Sequence, residues 1–329
     1  MRAVVARAAG GPEVLRLQNV EAPTPGPGEV AIEVAYAGVN FAEVMGRRGL
    51  MPNARPPFVP GLEVSGTVRS LGEGVTSFAP GDAVCAFTAV GGYAEVAVAR
   101  AALTFELPDA SDATLRRAAT YPTIVPTAWA LVYEAARVRE GEDVLVSAAA
   151  GGLGTVIAQV AGLSGAGHVY GVVSSEAKGA YAMEFGYDGV FVGESWPDDL
   201  GLATAGAGVD VVFDSVGGSF RDQAFAALAP MGRLAIFGIA SGAAEHAPDA
   251  FALRTQCKAT VGFSISGLAQ LDAERLRRIA GEALGAAHDG LIQVAITEEF
   301  ELADVRAAHA EIEARRSVGK YVLAVSTGS

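Results

Sequence analysis

Between Val146 and Gly162 the chain reads VSAAAGGLGTVIAQVAG, an apolar run, a cluster of small residues, then a helical pattern. Such a corner can bind an anion. In the A-x-x-G-x-x-G form of the dinucleotide fingerprint, side-chain-free positions let the backbone turn tightly and approach a pyrophosphate. Ala150, Gly151, Gly152 and Leu153 would bring free N–H groups and the positive end of a helix dipole to that anion. Gly154 would let the helix pack closely on the strand. An ordinary tight turn has the same composition; the strand before, the helix after and further strand–helix units behind favour the dinucleotide. The next strand selects the cofactor. An NAD site needs an acid on the ribose about 20 residues on, where this chain has Ser174 and Ser175. Their hydroxyls can donate to a 2′-phosphate, and Lys178 adds charge. These residues favour NADPH. The serines would equally cap the helix beginning at Glu176, and the two roles are compatible.

The elements around this corner fall into two textures. Residues 1–120 look β-rich: EVAIEVAYAGVN alternates after the Pro/Gly-rich connector APTPGPGE, and GLEVSGTVRSLGEGV and GDAVCAFTAVGGYAEVAVA repeat the pattern. A compact, mostly antiparallel barrel is expected. Over 121–265, strands without alternation (EDVLVSAA, HVYGVVSS, DGVFVG, VDVVFDSVG, GRLAIFG) are interspersed with helices. That rhythm predicts an α/β fold, a parallel sheet covered on both faces and doubly wound. In 266–329, two amphipathic helices precede GKYVLAV, a strand outside that rhythm that is expected to return to the first domain.

The chain has 329 residues, is 51% hydrophobic and 19% charged, and carries a formal net charge of -13. Two globular domains follow from length and composition. Lys and Arg are too sparse to track a phosphate backbone, so no nucleic-acid partner is expected. No stretch approaches the ~18 apolar residues of a membrane span, so no membrane partner is expected. The two cysteines, Cys85 and Cys257, make neither a disulfide framework nor a thiolate cluster. A cytoplasmic protein is expected.

In order along the chain, GVNFAEVMGRRGL, PFVPGLEVSGTV, GEGVTSFAPGDAV, GGYAEVAV, AAAGGLG, VSSEAK, DVVFDSVGG, GRLAIFG and SVGKYVL resemble the zinc-independent quinone oxidoreductase branch of the medium-chain dehydrogenase/reductase superfamily. The resemblance implies a GroES-like β-barrel substrate domain built from 1–120 and 266–329. It implies a Rossmann NADPH-binding domain over 121–265, a cleft between the two, and a homodimer pairing through KATVGFSI. Zinc members of the superfamily carry Cys where this chain has Asn40, and His in a GHE triplet where it has Gly61-Leu62-Glu63. Leucine cannot ligate zinc, three suitable ligands cannot be assembled, and the four histidines are dispersed. No metal is therefore expected. The resemblance implies hydride transfer from NADPH to a small-molecule quinone or α,β-unsaturated carbonyl. A tailoring enoyl reductase for a bulky polyketide-type substrate and an NADPH-binding sensor without turnover are the alternatives.

By the same resemblance, Asn40 contacts the nicotinamide ribose or substrate oxygen, and Thr127 and Phe263 flank the nicotinamide. Gly217, Phe237 and Gly238 line the cofactor at the ends of later strands, and Lys320 approaches it with Arg316. Each has a structural alternative: a local backbone bond for Asn40, a turn or cap for Thr127, core packing for Phe263, a solvated charge for Lys320. Arg47 is a further candidate catalytic residue beside Asn40 and Thr127, lining the cleft, or a solvated helix end. Met45 and Met51 replace tyrosines common among relatives, one a proposed proton donor in related enoyl-thioester reductases. Methionine donates no proton but offers an adaptable apolar surface. Tyr36, Tyr93 and Tyr121 are substitute donors, with Tyr121 also assigned to the substrate pocket.

Overall fold

The computed structural model describes residues 1–51 and 54–325. Two compact units emerge: Met1–Ile124 with Ala269–Leu284 and Val294–Ser329, and Val125–Leu268 with Gly285–Gln293.

The first unit opens with strands β1 (Arg2–Ala6), β2 (Leu15–Asn19) and β3 (Glu29–Val39), followed by helix α1 (Phe41–Arg47). Strands β4 (Glu63–Leu71), β5 (Ala83–Phe87), β6 (Val96–Arg100) and β7 (Thr104–Glu106) come next, then helix α2 (Asp112–Ala118) and helix α3 (Tyr121–Trp129), whose residues from Val125 on belong to the second unit. β3 is the spine. Its register shifts against β4 between Ala31 and Ile32 and again between Val34 and Tyr36, so the strand bends and twists as bulged strands do. It pairs antiparallel with β4 and β6. Val4, Leu15, Val30, Ile32, Val64, Val84 and Tyr93 fill the interior.

The second unit alternates strands and helices: β8 (Val144–Val146), α4 (Gly152–Leu163), β9 (Val169–Val173), α5 (Glu176–Met183), β10 (Gly189–Val192), α6 (Trp196–Ala203), β11 (Val209–Asp214), α7 (Ser219–Ala226), β12 (Leu228–Ile236), α8 (Ala250–Thr255), β13 (Ala259–Gly262) and α9 (Ile265–Leu271). The sheet is all parallel in the order β10-β9-β8-β11-β12-β13. Counted along the chain that is 3-2-1-4-5-6, the doubly wound order, whose switch point lies between β8 and β11. β8, β9 and most of β11 are buried on both faces, which explains apolar runs without alternation. The helix α6 has Pro, Gly and two aspartates in eight residues and gave no sequence signal; Trp196 and Leu200 anchor it in the core.

The chain closes with α10 (Ala273–His288), β14 (Ile296–Glu301), α11 (Val305–Glu313) and β15 (Lys320–Ala324). β15 lies between β14 and β3, antiparallel to β3 with Tyr321 opposite Val39. This register sets Lys320 beside the residue that follows β3, Asn40.

Gly154 on α4 is confined: a Cβ there would meet Ala148 O at 2.6 Å and Ala149 O at 2.8 Å. Both obstacles are backbone and cannot swing away. Gly162, on the same helix, has nothing within 4 Å of such a Cβ. Gly154→Ala is expected to lower stability by about 1–3 kcal/mol, and Gly162→Ala to raise it by up to about 1 kcal/mol. Chemical unfolding of both variants checks this; equal effects would contradict the close-packing role.

Candidate functional site

Four polar side chains gather in the first unit where β3 meets α1. Asn40 caps α1, and Glu43, three residues on, accepts from the Asn40 N–H at 2.8 Å, an arrangement that satisfies an otherwise orphaned donor. The other Glu43 oxygen accepts from Leu62 N–H at 3.0 Å and weakly from Asn40 Nδ2 at 3.3 Å. Glu63, fully buried at the start of β4, accepts from Asn40 Nδ2 at 3.0 Å and from Thr123 N–H of α3 at 2.8 Å. Lys320 Nζ completes the set, donating to Glu63 Oε1 and Asn40 Oδ1, both at 2.6 Å, and to Val39 O at 3.1 Å. A buried ion pair this well bonded meets the geometric condition for offsetting desolvation. The ammonium also settles the amide: Oδ1 faces the cation and Nδ2 the carboxylates. Burial, aided by the Glu63 charge and opposed by Lys320, pushes the Glu43 carboxyl up to about 7.

In the second unit the turn after β8 is built for tightness. Ala148 is left-handed at φ 50°, and Gly151 N–H donates to Ala148 O. Gly151 is the N-cap of α4 and has no side chain, so the first turn of α4 carries no side-chain cap. Its amides remain the helix's open donors. Ser147 and Ser215, at the ends of β8 and β11, join across the switch point: Ser215 N–H donates to Ser147 Oγ at 2.8 Å and the hydroxyls lie 3.0 Å apart. At the tip of β9, Ser174 and Ser175 are exposed. Ser175 caps α5, accepting from Lys178 N–H.

These placements sort the sequence candidates. Ala150, Gly151, Gly152 and Leu153 share one turn, and Ser174, Ser175 and Lys178 one helix start. Gly217, Phe237 and Gly238 follow β11 and β12, with Phe237 N–H on Asp214 O, and Phe263 follows β13, half-buried. Thr127 is buried in α3, and Tyr121, which opens that helix, is half-buried. Met45 is buried in α1 and Met51 half-buried beyond it. Tyr36 donates to the exposed Asp112, and Tyr93 pairs with His309 in the buried interior.

Two candidates require correction. Arg47 is fully buried; its guanidinium donates to Gly10 O and Glu313, tying α1 to α11. It is neither a solvated helix end nor a side chain free to meet a substrate. Lys320 spends all three ammonium donors within the first unit and keeps none for a cofactor. The sequence reading missed Glu43 and Glu63 as partners of Asn40. The signals were an acid three residues after a capping Asn and a lone charge in each of the apolar stretches VPGLEVSG and VGKYVLAV.

The Glu43 carboxyl binds its proton more tightly in the folded chain than in the unfolded one. Its contribution to stability is therefore complete below its ordinary value of 4.5 and is lost as pH rises through about 7. Wild type should lose stability relative to Glu43→Gln between pH 5 and pH 8. Thermal unfolding midpoints across that range check this, and a difference that does not change with pH would contradict it.

Comparison with known proteins places this geometry. A family model described as alcohol dehydrogenase GroES-like domain matches residues 26–109, and one described as zinc-binding dehydrogenase matches 152–278. The donor set does not fit the zinc of that description. Asn40 and Leu62 are not zinc ligands here, and the Lys320 ammonium already neutralises Glu63. Among the described residues no group of three or more His, Cys, Asp or Glu is arranged to hold a metal ion. The chain is 33% identical to a quinone oxidoreductase of Pseudomonas aeruginosa over 95% of its own length and 96% of the relative's. A rat quinone oxidoreductase is 31% identical over 98% and 97%. Among solved structures, a mycobacterial protein complexed with NADPH superposes with a TM-score of 0.91 at 35% identity, covering 99% of this chain and all of that one. Escherichia coli quinone oxidoreductase complexed with NADPH gives 0.90 at 28%, with coverage of 99% and 100%. The chain belongs to the quinone oxidoreductase branch of the medium-chain dehydrogenase/reductase superfamily.

Proposed function

We propose that this protein is an NADPH-dependent reductase of a quinone or an α,β-unsaturated carbonyl. The observation that carries the reading is the uncapped glycine turn at the switch point of a 3-2-1-4-5-6 sheet, with hydroxyls at the tip of β9 where an NAD site has an acid. When bound, NADPH supplies the hydride. The α4 first-turn amides hold its pyrophosphate, and Ser174, Ser175 and Lys178 receive its 2′-phosphate. Asn40, fixed by Glu63 and Lys320, is the polar group on the substrate side, and Met45 and Met51 supply adaptable apolar surface. Tyr121 is the phenol of choice for protonating product, because Tyr36 and Tyr93 are already bonded elsewhere. Burial raises the Tyr121 pKa above its ordinary value of 10 and keeps the phenol protonated.

The reading assigns the protein to the cytoplasm, in keeping with two free thiols. Among the described residues no helix is long and apolar enough to cross a membrane. It also assigns a homodimer paired through β13, whose outer edge has no strand partner among the described residues and is open to a second strand.

Absorbance at 340 nm in the presence of NADPH and a small quinone or enone tests the reaction; no fall with any acceptor, while NADPH still binds, would favour the sensor alternative. Ser174→Asp places a carboxylate against the 2′-phosphate and is expected to weaken NADPH at least about tenfold more than NADH. Equal weakening would remove the basis for the phosphate assignment. Sedimentation should give a dimer; a monomer at micromolar concentration would overturn the β13 assignment.

A further inference from the structure

Arg221, near the start of α7, is 1% exposed and donates to four acceptors. Its Nε donates to Asp214 Oδ2 at 2.7 Å. One terminal nitrogen donates to Glu245 Oε2 at 2.7 Å and His246 O at 2.8 Å, the other to Gly238 O at 2.9 Å. Asp214 is the last residue of β11 and fully buried, and its second oxygen accepts from Val216 and Gly217 N–H at 2.8 and 2.9 Å. One side chain thus gathers the turn after β11 and the long segment after β12. Backbone bonds run between the same two stretches: Ala240 N–H to Ser215 O and Ser241 N–H to Val216 O, both 2.9 Å. His246 reaches back to Asp222 of α7 at 2.9 Å.

The glycines in these turns serve the gathering. A Cβ on Gly217, whose φ is 71°, would meet Arg221 Nη2 and Ile239 Cγ1 at 3.2 Å. One on Gly238 would meet Ser215 O at 2.8 Å. The space that glycine leaves here is taken by the protein itself.

Position gives the strap its meaning. In a doubly wound sheet the ligand lies outside the carboxyl ends of the strands at the switch point, one mononucleotide on each side. The turns after β8 and β9 serve the adenosine half, and those after β11 and β12 serve the nicotinamide half. We propose that Arg221 is a positioning residue for the nicotinamide half of the cofactor, holding residues 237–246 against the β11 turn so that their backbone is pre-set to receive it. This rests on the NADPH reading above. The interaction is preorganisation: the segment is ordered before the ligand arrives, and that ordering cost is removed from binding.

The test uses two probes on the full chain. NADPH engages both halves; adenosine 2′,5′-bisphosphate engages only the adenosine half. Arg221→Lys keeps the charge but cannot span four acceptors. It is expected to raise the Kd of NADPH about five- to tenfold, leave that of adenosine 2′,5′-bisphosphate within about twofold, and speed amide exchange in residues 239–246. Unchanged NADPH affinity, or parallel weakening of both probes, would overturn the proposal. If Arg221→Lys does not fold, Glu245→Ala decides it, because Glu245 is exposed and its loss strands no buried charge. A selective loss of about two- to threefold for NADPH supports the strap, and no selectivity overturns it. If wild type binds neither probe, the cofactor reading fails and the cofactor role of Arg221 with it; if wild type binds both and the variants match it, only this inference fails.

Discussion

The Lys320 ammonium, enclosed by Glu63, Asn40 and Val39, is the contact on which the polar cluster at the β3–α1 junction depends. Its partners come from the end of β3, the residue after it and the start of β4, while Lys320 itself opens β15, so the cluster exists only when β15 has docked on β3. Strand register delivers it: β15 runs antiparallel to β3 with Tyr321 opposite Val39, and the next pair outward is Lys320 and Asn40. The surroundings cannot be indifferent to its loss, since a buried carboxylate left without its cation costs several kcal/mol. Glu43 adds a second carboxyl to the cluster, and its raised proton affinity follows first from burial, with the Glu63 charge adding to it and Lys320 opposing it.

The cofactor side follows a different logic. There the turn after β8 withholds side chains, leaving helix amides open, while the loops after β11 and β12 are fastened by Arg221 and Asp214. Ser147 and Ser215 link the two at the switch point, so the alignment of β8 with β11 is fixed by side chains as well as by the sheet.

Much of this was legible in the residues. Apolar runs without alternation announced a parallel sheet, and the small-residue corner announced a tight glycine turn at the start of a helix, because both depend on local composition. GKYVLAV stood out by breaking the strand–helix rhythm, and the structure pairs it with β3. What local pattern could not disclose was long-range partnership. Arg47 at the end of a short helix reads as a cleft residue or a solvated helix end until its bond to Glu313, 266 positions later, is seen. Lys320 reads as a cofactor contact until β3 and β4 claim its three donors. Gly217 and Gly238 read as backbone lining a cofactor; that a Cβ at either would meet Arg221, Ile239 or Ser215 is a long-range fact the sequence does not carry. The helix over Trp196–Ala203 is held by two core side chains against weak local propensity, so tertiary packing had to reveal it.

If a lysine ammonium occupies the place that a metal's charge would otherwise fill, turnover should be indifferent to metal. Metal content and NADPH oxidation rate, measured on the same protein before and after exhaustive chelation, decide this. The structure predicts far less than one zinc per chain and an unchanged rate with a quinone acceptor; stoichiometric zinc, with activity lost on chelation and restored by its return, would contradict it.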